Sequence, residues 1–90
     1  MLLISYDIKD DKLRTAFSKM IRANGAIRLQ YSVYEINNTK RILDLIKIEI
    51  KHTFSKQFSA DDSIFIAEFD ESKVIKYGNA IHRDKDLLFF

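Results

Sequence analysis

Residues 26–36 read AIRLQYSVYEI, a run of β-branched and aromatic side chains that is long for one straight strand. Ile27, Leu29, Tyr31 and Val33 share one parity, and Arg28, Gln30, Ser32 and Tyr34 share the other. Polar residues in the middle of such a run predict a kink or bulge near Gln30–Ser32 that divides it into two pieces. The division decides the fold, because it adds one strand to the element order.

Working outward, LLISYDI (residues 2–8) reads as a first strand. Leu2, Ile4, Tyr6 and Ile8 fall on one side, and Leu3, Ser5 and Asp7 on the other. In DDKLRTAFSKMIRANG, Leu13, Ala16, Phe17, Met20 and Ile21 recur at helical spacing. Asp10 or Asp11 can cap the start of that helix, and Asn24-Gly25 ends it. NNT caps a second helix, KRILDLIKIEIKHTF, with a stripe of Ile42, Leu43, Ile46, Ile50 and Phe54. SKQFSADD is a loop and SIFIAEF a further strand. DESK is a turn, VIKYGN a short extended piece and KDLLFF a final apolar segment. The order β, α, ββ, α, β predicts an α+β ferredoxin-like βαββαβ sheet with both helices on one face.

The chain has 90 residues, which predicts a single domain over 1–90. A domain of this size buries only about 60–65% of its unfolded surface, so its own core is marginal. The apolar share of 47% and charged share of 31% suit a folded chain. The absence of cysteine excludes a disulfide scaffold, Cys-ligated zinc and a thiol nucleophile, and suits a reducing compartment. No run is apolar enough to span a bilayer, and the N-terminus lacks a basic, cleavable leader. These features predict a cytoplasmic protein without membrane contact.

Two features predict a homodimer. The Leu3/Ser5/Asp7 face is mixed, neither a core nor a solvated surface. The chain also ends in Leu87, Leu88, Phe89 and Phe90. Docking residues 86–90 as a strand on a partner's sheet edge would cover both those side chains and the edge. Packing on the chain's own core is the alternative.

Asp7 fits neither core nor turn. On a two-fold axis it becomes a carboxylate pair that must share a proton or hold a cation. One Mg²⁺ per dimer would suit such a pair, with waters and substrate phosphate completing its shell. A divalent ion there can activate water toward a phosphodiester and stabilise the leaving oxygen. The plainer reading makes Asp7 a turn or cap residue, although Asp10 and Asp11 are better placed for capping. His52 and His82 stand alone, Ser32 has no adjacent base, and Gly25 and Gly78 make no phosphate loop.

Net charge is +2, but residues 1–60 carry 11 Lys/Arg against 6 Asp/Glu, while residues 61–90 carry 4 against 7. Arg14, Lys19, Arg22 and Arg28, on or near the first helix and the strand after it, are candidates for nucleic-acid phosphates. Ordinary solvated faces would give the same composition.

The stretches LLISYDI, KLR at the helix start, NGAIRLQYSVYE and DSIFIAEF resemble the small CRISPR-associated spacer-acquisition family (Cas-two). The likeness rests on Tyr6-Asp7-Ile8 together with the Gln30–Glu35 stretch, and runs over nearly the whole chain. It implies a ferredoxin-like homodimer with C-terminal strands exchanged between copies. It further implies a role in inserting foreign DNA into a CRISPR array beside the integrase subunit (Cas-one), with duplex DNA along a basic face. Family members are also described as metal-dependent endonucleases on RNA or DNA. The family's metal-binding aspartate corresponds to Asp7 and its helix arginine to Arg14. Tyr6, Gln30, Ser32 and Tyr34 fall in the supporting strand motif. A regulatory ferredoxin-like dimer binding a small molecule between subunits is the competing expectation, though no polar cluster in the sequence forms an obvious pocket for it.

Overall fold

The computed structural model describes residues 1–78. The docking predicted for residues 86–90, the segment KDLLFF and His82 lie outside them. Four strands form one antiparallel sheet: β1 (Leu2–Asp7), β2 (Ile27–Gln30), β3 (Val33–Ile36) and β4 (Ser63–Glu68). Their order is β2-β3-β1-β4. Helices α1 (Asp11–Ala23) and α2 (Lys40–Glu49) pack on one face, giving the βαββαβ arrangement of a ferredoxin-like fold.

Asp10 caps α1 by accepting from the Leu13 backbone N–H at 2.8 Å. Thr39 caps α2 in the same way through Ile42, at 3.2 Å. After Glu49 the second helix widens into a π-helical turn, Ile50–Phe54, and then tightens into a 3₁₀ turn, Ser55–Gln57. The change of pitch still brings Phe54 into the core, as the stripe predicts.

The strand parity holds. Leu2, Ile4, Tyr6 and Ile8 are buried beneath the helices, while Asp7 is exposed. Phe17 of α1 joins the layers, its ring edge-on to Tyr6 and to Phe54 at centroid distances of 5.1 Å in both cases.

Residues 26–36 divide at Tyr31–Ser32 into β2 and β3, as the sequence predicts, but the form of the break differs. The chain does not kink between two pieces; it reverses through Tyr31–Ser32, and β2 and β3 pair antiparallel. Ser32 therefore lies in a turn rather than in a strand, at φ 68°. A left-handed serine costs about 1–2 kcal/mol, and the usual Gly or Asn signal is missing, so the sequence marks a break there but not a tight reversal. The Ser32 carbonyl accepts from the Tyr6 N–H at 3.2 Å, which ties the turn to β1. A bulge does occur, between Arg28 and Gln30, inside β2.

The opposite face of the sheet carries Leu3, Ser5, Asp7, Val33, Glu35, Phe65 and Ala67 by register. Residues 74–77 run beside part of it, forming a groove with Leu29, Gln30 and Val33. Lys76 Nζ lies 2.5 Å from Glu35 Oε1, and the Glu35 side chain is fully buried. Phe65, farther along the same face, is 59% exposed.

Candidate nucleic-acid interface

Arg14, Ser18 and Arg22 are spaced four apart and so stack on successive turns of one side of α1. That side meets the β2–β3 hairpin. Register sets Arg28 opposite Tyr34. Together Tyr6, Arg14, Thr15, Ser18, Arg22, Arg28, Tyr31 and Ser32 line a concavity of about 190 Å³.

Its floor is a network of hydroxyls. Tyr34 is buried, and its oxygen accepts from Arg28 Nε at 3.1 Å and Nη2 at 2.9 Å. Ser18 Oγ lies 2.9 Å from the same oxygen. Either hydroxyl can donate in that bond. The Arg28 guanidinium also lies 5.5 Å from the Tyr34 ring centre and 5.8 Å from that of Tyr31. Burial alone would raise the Tyr34 hydroxyl above the ordinary tyrosine value. Its bonds to Ser18, Arg28 and Tyr6 outweigh burial, and the net direction is down. Tyr6 moves up, first through burial and then through Tyr34 beside it.

The other two arginines are also held. Arg14 donates from Nη1 to the Ile8 carbonyl at 3.1 Å and pairs through Nη2 with Asp11. That hydrogen bond raises the Arg14 guanidinium. Arg22 donates from Nε to the Ser18 carbonyl at 3.3 Å. Each guanidinium thus keeps further N–H donors for an anion. Three cations at one concavity suit phosphate oxygens, which planar guanidinium groups can bind in bidentate fashion.

Not every predicted residue joins this site. Lys19 lines a separate shallow groove with Asp11, Lys12, Thr15 and Ala16. Gln30 faces the groove beside residues 74–77 instead. Ser18 and Tyr31 were not among the predicted site residues. Ser18 could have been found from its place midway between two arginines, one turn from each.

Asp7 stands at the end of β1, apart from the arginines. Both its oxygens accept from Lys9 Nζ, at 3.1 and 3.2 Å. Its side chain is 63% exposed. Asp62 steadies this corner by accepting from the Lys9 and Ser59 backbone N–H groups, each at 2.8 Å. Those two bonds hold the Asp62 carboxyl below its ordinary value. Among the described residues, no three His, Cys, Asp or Glu side chains gather as a metal cage. One exposed carboxylate suits Mg²⁺ only with waters and a second anionic partner. Asp7 therefore fits such an ion as half of a pair, with Lys9 turned aside.

No helix among the described residues is long and apolar enough to cross a membrane. The comparison with curated proteins finds no match. The family model of the CRISPR associated protein Cas2 matches residues 1–77. With the sheet order, the helix arginine and the Tyr6-Asp7 strand end in place, the chain belongs to the CRISPR associated protein Cas2 family and is a CRISPR adaptation protein.

Proposed function

We propose that the protein serves CRISPR adaptation as a homodimer that holds duplex DNA beside the integrase subunit in the prokaryotic cytoplasm. Arg14, Arg22 and Arg28 carry the phosphate contacts. The observation that carries this reading is the gathering of three guanidinium groups, from two turns of α1 and from β2, around one concavity. Scattered solvated charges would have no reason to converge, whereas a phosphodiester track needs fixed cations. The excess of basic over acidic residues across positions 1–60 supports the same partner. A regulatory dimer binding a small molecule between subunits would not need that convergence within one chain.

The test is duplex binding by Arg14→Ala, Arg22→Ala and Arg28→Ala, each measured across a range of salt. Removing one guanidinium from a phosphate should make the slope of log K against log salt shallower by about 0.9. Lys19→Ala, outside the concavity, should leave the slope near that of the parent. A Lys19 effect as large as the arginine effects would move the interface elsewhere.

A second reading concerns Asp7. Its exposure on the sheet face opposite the helices makes it available to a second copy. In a dimer that joins these faces, two Asp7 carboxylates would hold one Mg²⁺. Bound there, the ion would supply Lewis-acid chemistry on a phosphodiester of RNA or DNA. Asp7 would anchor it, and Lys9, displaced from the carboxylate, would be free to meet the substrate's charge. This reading expects Mg²⁺ to raise the melting temperature of the parent but not of Asp7→Asn. Equal stabilisation of both proteins would remove Asp7 as the ligand and leave the DNA reading untouched.

A further inference from the structure

We propose that Tyr34 is a positioning residue for phosphate binding: its buried hydroxyl fixes the Arg28 guanidinium so that one edge is used by the protein and the other is presented to the nucleic acid. This inference rests on the reading of the arginine concavity as the phosphate site. The Nε and Nη2 donors form one side of the guanidinium fork, and both converge on the Tyr34 oxygen at 3.1 and 2.9 Å. The edge left over is Nη1 with the second Nη2 hydrogen, a pair spaced for two oxygens of one phosphate.

The anchor is rigid for three reasons. Tyr34 is fully buried in β3, at 0% exposure. Its ring stacks on Tyr6 at 6.1 Å with an interplanar angle of 17°. Its oxygen lies 2.9 Å from Ser18 Oγ on α1, so helix and hairpin are joined by a hydrogen bond at the atom that holds Arg28. A free arginine loses side-chain entropy on binding a phosphate; Arg28 has already lost much of it on folding. The hydroxyl also explains why an arginine rather than a lysine stands at position 28. An ammonium is a point donor and could not bond the tyrosine through one edge while offering a second edge of fixed direction.

The prediction separates charge from placement. Tyr34→Phe keeps the ring and every cation, so the salt slope for a blunt DNA duplex should match that of the parent. Its affinity should fall about 3–10-fold, the size of one hydrogen bond of positioning. Arg28→Ala should weaken binding and also make the slope shallower by about 0.9. Arg28→Lys should keep the slope and reduce affinity about as much as Tyr34→Phe. In the Arg28→Lys background, adding Tyr34→Phe should cost nothing further, because a lysine does not use the hydroxyl in this way.

Tyr34→Phe binding as tightly as the parent overturns the proposal, as does an additive double variant. If Arg28→Ala leaves both affinity and slope unchanged, the phosphate-site reading falls and the positioning role falls with it. If Arg28→Ala weakens binding but Tyr34→Phe does not, only the positioning role fails. Circular dichroism melting establishes that each variant is folded. Should Tyr34→Phe not fold, Arg28→Lys decides alone: parental affinity overturns the proposal, and reduced affinity at parental slope supports it.

Discussion

The two faces of the sheet handle charge in different ways. Beneath the helices, the ionic groups stand at the rim of a packed aromatic core and are tied to it: Arg28 bonds a buried tyrosine, and Arg22 a helix carbonyl. On the opposite face, two carboxylates of neighbouring strands have separate fates. Glu35 is fully buried against Lys76, whereas Asp7 stays in solvent with Lys9. Anchored cations suit a ligand that must be met in a fixed register. An exposed carboxylate with a movable lysine suits a cation or a second copy of the chain. The cluster beneath the helices is built within one chain, and the open face becomes a site only when something else covers it.

Substitutions in the two faces should therefore differ in size. Phe17, at 0% exposure and packed on Tyr6 and Phe54, should cost about 3–5 kcal/mol when replaced by alanine, read by urea unfolding. Phe65→Ala, on the open face, should cost less than about 1 kcal/mol in the single chain. A destabilisation at Phe65 that grows with protein concentration would sharpen the contrast by revealing a second copy on that face.

Lys76→Ala comes next. It removes the Lys76 ammonium from the buried Glu35 and should cost about 2 kcal/mol in the same assay, below the range for a wholly enclosed pair because Lys76 is 17% exposed. A neutral result would mean that residues 74–77 do not hold Glu35 in solution. Asp7→Asn should change stability least, by about 0–1 kcal/mol, since both members of its pair are well exposed. A large destabilisation there would break the comparison, because Asp7 would then be a structural residue.

The elements that follow one local period were legible in the sequence. The parity of LLISYDI placed Asp7 correctly away from the helices. A cap at Asp10 or Asp11, a cap within NNT and both apolar stripes could be read from the sequence, except that Ala16 of the first stripe is exposed. What escaped depends on contacts distant in sequence. The Tyr31–Ser32 reversal was hidden because serine, not glycine, takes the left-handed position. Arg14 and Arg22 share a helical side that can be counted, and Arg28 is a candidate by charge and nearness in sequence, but its place opposite Tyr34 follows from a hairpin register that the sequence does not state. Lys19 looked like the others because net charge has no direction; a few residues of helix phase put it in another groove. The burial of Glu35 could not be read at all, since Lys76, which bonds it, lies 41 positions away.

The most direct measurement is the salt dependence of duplex DNA binding by the full chain, compared between the parent and the combined Arg14→Ala/Arg22→Ala/Arg28→Ala variant. The account predicts that the variant melts as a folded protein and that its log–log salt slope is shallower by about 2–3, roughly one counterion for each guanidinium removed. A folded variant that binds duplex DNA with the parent's affinity and slope would contradict it.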